Sequence, residues 1–101
     1  MEHAYNIWMI SQEDRIKTIK DSLTFYKDFP KKGINFCDIL PLLSDPAVLH
    51  QTVDALEAVL AGVEFDRIVG LESRGFLFGV PLAYKMNKSF VPIRKAGKLC
   101  G

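Results

Sequence analysis

A chain of 101 residues that is 49% hydrophobic and 25% charged has room for one globular domain and is too apolar to remain disordered. Its net charge of +1 hides an asymmetry, because the first 72 residues carry 7 Lys or Arg against all 12 acids (−5) and the last 29 carry 6 Lys or Arg and no acid (+6). A basic end of that size, with no aromatic ladder beside it, suits a small polyanion better than a nucleic acid. Cys37 and Cys100 make no disulfide framework and read as free thiols of an intracellular protein. No signal peptide is expected, since the apolar start MEHAYNIWMI lacks a basic residue and carries Glu2. The longest uncharged run of the second half, Gly75 to Tyr84, falls well short of the roughly 20 residues of a membrane span.

Residues 1–10 follow no period and read as a variable extension. Ser11 is a good N-cap with Asp14 three residues on, and Ile16, Ile19, Leu23 and Tyr26 recur at near-helical spacing, which predicts a helix over 11–26. Asp28 to Gly33 breaks it: Pro30 disfavours helix at the residue before it, and Gly33 permits a turn. The alternating stretch Ile34 to Ile39 reads as a short strand or as a lid over a pocket. Asp45 as N-cap and Pro46 at the first helical position then start a helix expected over 45–61, with Leu49, Val53, Leu56, Val59 and Leu60 on one face and Gly62 closing it. No repeat, low-complexity stretch or linker divides the chain, so one domain is expected.

The most informative stretch is 67–94. Arg67 to Leu71 and Ser89 to Ile93 have the length and β-branched content of buried strands, expected near 67–71 and 89–94. Between them lies a helix expected over 74–86, with Asn87 as its stop. The 17 residues between the strands fit a crossover helix rather than a hairpin turn, so the strands are expected to be parallel and the unit to be βαβ. Parallel pairing puts the turn Glu72-Ser73-Arg74-Gly75 at the carboxyl end of a strand, where open α/β sheets bind ligands. The turn also opens a helix, so backbone N–H groups, the helix dipole and Arg74 together favour an anion of phosphate type. On residue types alone, Glu72 and Arg74 read equally as a surface ion pair, and Arg94, Lys95 and Lys98 as a solvated basic tail. Phe76 and Phe78 read as core; His3 and His50 stand alone, and no metal ligands are expected.

Three blocks in order, FPKKGINFCDILPLLSDP, RIVGLESRGFLFGVPLA and FVPIRKAGKL, closely resemble the N-terminal half of the adenine phosphoribosyltransferases, within the type I phosphoribosyltransferase family. The resemblance runs almost without a gap from about Asp14 to Leu99. It implies an α/β fold: an incomplete parallel sheet flanked by helices, with residues 28–43 as a small hood segment and 67–94 as the βαβ core of a single, truncated domain over 1–101. It implies purine salvage, in which adenine and 5-phosphoribosyl 1-pyrophosphate give AMP and pyrophosphate with Mg²⁺ bound to the phosphoribosyl substrate, in a cytoplasmic homodimer with no nucleic-acid or membrane partner. Carried over by position, Glu72, Ser73 and Arg74 form the pyrophosphate-binding turn, which in the family contains a non-proline cis peptide bond. Arg94 and Lys98 face the same pyrophosphate with Lys95 nearby, and Asn35, Phe36 and Cys37 border adenine in the hood. Cys37 stands where many members have Arg, so burial as a small hydrophobe is the expectation for it.

In the family the chain continues past this point into a mobile loop with a catalytic Glu, and then into a strand and a Gly-Thr-rich loop that bind the ribose 5-phosphate. None of these motifs lies within the 101 residues, so no catalytic residue is assigned and the 101 residues alone are expected to be inactive. The alternative expectation is a non-catalytic binding or dimer-assembly module that pairs with a full-length subunit.

Overall fold

The computed structural model describes residues 10–96. The expectations for residues 1–9, Lys98 and Cys100 lie outside the described residues. The chain divides into two compact units, one running to Ala58 and the other from Val59.

In the first unit α1 spans Gln12–Ser22, and the Ser11 hydroxyl accepts from the Asp14 N–H at 3.0 Å, the cap that the sequence indicates. The helix stops four residues earlier than its apolar spacing suggested. Leu23 is already extended, with its N–H bonded to the Lys20 carbonyl at 3.2 Å, and Thr24–Tyr26 forms β1. Thr24, Phe25 and Tyr26 are β-branched or aromatic and lose side-chain freedom in a helix. They pair instead, antiparallel, with β2 (Phe36–Asp38): Thr24 faces Asp38, Phe25 faces Cys37 and Tyr26 faces Phe36. Of the two readings of 34–39, the strand is correct, although it covers only three residues.

The loop joining β1 to β2 is closed locally. Asp28 (φ 56°) accepts the Gly33 N–H on Oδ1 at 2.7 Å, the Phe29 N–H donates to the Ile34 carbonyl at 2.8 Å, Phe29-Pro30 is cis, and Gly33 sits at φ 88°. Gly33 is thus at a backbone angle that side chains with a Cβ disfavour. Tyr26, Phe29 and Phe36 cluster above it, with ring centroids 5.4 to 6.4 Å apart.

After a short α2 (Pro41–Ser44), α3 runs over Pro46–Val59. Asp45 begins it as expected: its Oδ1 accepts the Ala47 N–H at 2.9 Å and its carbonyl accepts the Leu49 N–H at 2.9 Å. An Asp45→Ala variant is expected to lose about 1 kcal/mol of stability, seen as a lower urea midpoint with an unchanged slope. The buried side of α3 is Val48, Thr52, Val53 and Ala55, turned one position from the stripe read from the sequence, and Val59 is 69% exposed. Thr52 is accepted on this apolar side because its hydroxyl donates to the Val48 carbonyl at 2.8 Å. Gln12 Nε2 donates to the Ala55 carbonyl at 2.9 Å and ties α1 to α3. The turn after α3 ends at Gly62, φ 81°, as the closing glycine.

In the second unit β3 (Arg67–Leu71) and β4 (Ser89–Ile93) are parallel, and α4 (Arg74–Met86) is the crossover between them. The helix carries Pro81 inside it and stops at Asn87, which is left-handed (φ 58°) and donates its N–H to the Ala83 and Tyr84 carbonyls. Ile68, Gly70 and Phe90 lie on the sheet face under α4, where the rings of Phe76 and Phe90 meet edge to face at 5.8 Å. Phe76 and Phe78 are half-buried, so they pack without forming a closed core. The other face carries Val69, Leu71, Val91 and Ile93, which are 38 to 64% exposed. Among the described residues no helix is long and apolar enough to cross a membrane.

Candidate anion site at the carboxyl edge of the parallel strands

The register of β3 and β4 builds the site. Arg67 is opposite Ser89 and Leu71 is opposite Ile93, so both strands end at the same rung. The next residues, Glu72 and Arg94, emerge side by side. The Glu72 N–H donates to the Ile93 carbonyl at 3.0 Å, which extends the ladder one step beyond β3 and fixes the start of the turn. Arg94 then closes on the Glu72 carboxylate: Nε donates to Oε2 at 2.8 Å and NH2 lies 2.6 Å from the same oxygen. The two side chains are 34% and 25% exposed, respectively. The Glu72 carboxylate is therefore engaged by Arg94.

From Glu72 the chain turns directly into α4. Glu72-Ser73 is a non-proline cis peptide bond, the feature that the resemblance implied for this turn. Ser73 is the N-cap residue but makes no side-chain capping bond; its carbonyl accepts the Phe76 N–H at 3.1 Å. Arg74 is the first helical residue and is exposed. First-turn N–H groups have no acceptor within a helix, so this end of α4 carries partial positive charge directed at the strand ends. Three cations, Arg74, Arg94 and Lys95, stand within this edge against the single carboxylate of Glu72.

Glycine at two positions lets the turn come so close to the sheet. A Cβ on Gly70 would lie 2.7 Å from the Gly75 carbonyl oxygen and within 2.5 Å of the Phe90 ring, and one on Gly75 would lie 3.2 Å from the Gly70 backbone. Backbone meets backbone there, and α4 therefore starts directly over the end of β3.

Of the residues singled out from the sequence, Glu72, Ser73, Arg74, Arg94 and Lys95 come together at this edge. Asn35, Phe36 and Cys37 lie in the first unit. Asn35 is exposed, and Phe36 and Cys37 are half-buried in β2. Cys37 is a free cysteine, packed partly out of water rather than projecting as a long side chain would. The pairing of Glu72 with Arg94 was not anticipated, yet a signal for it exists: the strands begin 22 residues apart and are equally long, so the first residues after them are also 22 apart.

Among the described residues no three His, Cys, Asp or Glu side chains are grouped to hold an ion, and Glu72 is already bound to Arg94.

No family model matches the chain. Among curated proteins it is 54% identical over 82 residues to adenine phosphoribosyltransferase of Acetivibrio thermocellus, a match covering 80% of this chain and 48% of that protein. Among solved structures, adenine phosphoribosyltransferase from Thermoanaerobacter pseudethanolicus superposes with a TM-score of 0.82 at 46% identity, covering 85% of this chain and 51% of that one. The Saccharomyces cerevisiae enzyme, solved with D-2,5-dideoxy-2,5-imino-altritol 1,6-bisphosphate and adenine, gives 0.80 at 45% identity over 88% of this chain and 55% of that one. The chain spans about half the length of the curated relatives it matches. Over that half the chain is similar in sequence and in fold to the adenine phosphoribosyltransferases.

Proposed function

We propose that this chain supplies the pyrophosphate-binding side and the hood of an adenine phosphoribosyltransferase, which converts adenine and 5-phosphoribosyl 1-pyrophosphate to AMP and pyrophosphate in cytoplasmic purine salvage. The observation that carries the reading is the Glu72–Gly75 turn: it lies at the shared carboxyl edge of two parallel strands, opens α4 and gathers Arg74, Arg94 and Lys95. The likeness to adenine phosphoribosyltransferases supports it, and the yeast relative solved with a bisphosphate and adenine supports the substrate class.

In this reading negative charge builds on the departing pyrophosphate while the ribose carbon becomes cation-like. The first-turn N–H groups of α4, with Arg74 and Arg94, meet that charge from fixed positions, so little reorganisation is needed as the bond breaks. Ser73 offers a hydroxyl at the same turn, and Lys95 and Lys98 add charge to the basic end. The Mg²⁺ bound to the diphosphate contributes charge neutralisation. Asn35, Phe36 and Cys37 border the adenine through backbone groups and packing, in a hood of residues 28–43. The complete site would sit in one phosphoribosyltransferase domain and in a homodimer.

Pyrophosphate should therefore bind these residues more tightly than AMP does at low salt, and Arg74→Ala should weaken pyrophosphate by about tenfold. Isothermal titration with each ligand reads both effects. AMP binding as tightly as pyrophosphate, or no loss in Arg74→Ala, would mean that the cations are only a solvated edge.

A second reading, a non-catalytic module that assembles with a longer subunit, is favoured by the exposed apolar sheet face of Val69, Leu71, Val91 and Ile93. It requires that the chain bind a full-length relative, and absence of a mixed complex when the two are refolded together and sized would rule it out.

A further inference from the structure

We infer that Glu72 is a positioning residue: it does not bind the anion but holds the Arg94 guanidinium at the carboxyl edge of the strands for the anion to bind. The inference rests on the proposed pyrophosphate site and assigns Glu72 a task within it that differs from that of its neighbours in the turn.

The chemistry of the turn separates Glu72 from Ser73 and Arg74. A hydroxyl, a guanidinium and backbone N–H groups are donors that an anion attracts, whereas an ionised carboxylate is an acceptor only and repels it. A carboxylate at the lip of an anion site needs a different reason to be there. The geometry supplies one. Both Glu72 and Arg94 directly follow the last rung of the parallel ladder, with the Glu72 backbone anchored through its N–H to the Ile93 carbonyl at 3.0 Å. The carboxylate takes the Nε edge of the guanidinium, through Nε at 2.8 Å and NH2 at 2.6 Å, on one oxygen. Nε and one terminal nitrogen are engaged, and the other terminal nitrogen takes no part in this contact. An arginine has five donors in a planar fork, so the pair immobilises one edge and leaves the far end able to donate.

The alternative role of the same contact has the opposite sign. If Glu72 merely occupied Arg94 as a competitor, an incoming anion would have to displace it, and removing the carboxylate would raise affinity. Simple charge repulsion predicts the same direction. Positioning predicts a loss, because a long arginine side chain freed from its partner must be ordered again on binding.

The test is pyrophosphate titration of the chain and of Glu72→Ala, Glu72→Gln, Arg94→Ala and the double variant Glu72→Ala/Arg94→Ala, with circular dichroism recorded for each. Glu72→Ala is expected to weaken pyrophosphate by about fivefold or more despite removing a negative charge, and Glu72→Gln, whose amide oxygen still accepts from Nε, by less. In the Arg94→Ala background the loss caused by Glu72→Ala should vanish, an outcome that a merely structural role for Glu72 does not produce. Unchanged or tighter binding in both Glu72 variants, or an equal loss with and without Arg94, overturns the inference. Glu72→Gln keeps the decision available if Glu72→Ala does not fold. Failure of the unaltered chain to bind pyrophosphate would instead count against the site itself.

Discussion

Purified as these 101 residues, the chain should form no AMP from adenine and 5-phosphoribosyl 1-pyrophosphate beyond the level of an Arg74→Ala control. The expectation follows from which side of the reaction the residues serve. In the proposed reading the turn at Glu72–Gly75, at the carboxyl end of β3, and the basic residues after β4 address the leaving pyrophosphate. The acid-bearing loop and the 5-phosphate loop implied by the resemblance lie outside these residues. Without an anchor on the 5-phosphate, the ribose carbon is not held against adenine, and oriented binding accounts for about 7 to 11 kcal/mol of barrier reduction in well-placed reactions. Losing half of that slows the rate by about 400-fold to 10,000-fold. The measurement is conversion of radiolabelled adenine over hours, with a full-length relative as positive control. Turnover above the Arg74→Ala level would show that these residues hold a complete site.

The second large effect concerns Gly70. In a Gly70→Ala variant the new methyl meets the Gly75 carbonyl oxygen at 2.7 Å and the Phe90 ring at 2.5 Å. The ring is part of a side chain and can shift by itself, but the carbonyl belongs to the first turn of α4 and moves only with the helix. Overpacking of this kind costs about 1 to 3 kcal/mol, and for a chain of this size about 4 to 8 °C of melting temperature per kcal/mol. Gly70→Val should cost more. Gly79 provides the contrast. There the three atoms nearest to an added Cβ all belong to the Phe90 ring, so Phe90→Leu should rescue Gly79→Ala and leave Gly70→Ala impaired. Thermal melts of the two double variants distinguish the cases; equal rescue would show that the ring, not the backbone approach, sets the spacing. Because α4 begins at this contact, Gly70→Ala should also weaken pyrophosphate binding through displacement of Arg74.

The exposed face of Val69, Leu71, Val91 and Ile93 bears on how such a unit behaves in solution. Parallel sheets are ordinarily covered on both faces, and among the described residues of the second unit α4 covers one face of β3 and β4. Two strands also present edges that other chains can extend.

By itself the sequence determined the elements whose causes are local. Ser11 and Asp45 announce helix starts because a short polar side chain meets an N–H two or three positions away. The strand, helix and strand of 67–93 were legible because their periods and lengths leave little alternative, and a crossover of that length makes the strands parallel. The place of the Glu72–Gly75 turn, at the carboxyl end of β3 and the start of α4, followed from that connectivity. Tertiary structure decided what depends on partners far along the chain. Thr24–Tyr26 carries an apolar spacing that suits either structure, and its strand exists because Phe36–Asp38 lies beside it. The buried side of α3 turned by one position because helix faces are chosen by what they pack against. Arg94 found Glu72 only because equal strands in one register end together, and Gly70 is required only because α4 returns onto the end of β3. Contacts between distant residues have no signature in local propensity, since the free energy that selects them appears only once the chain has folded back on itself.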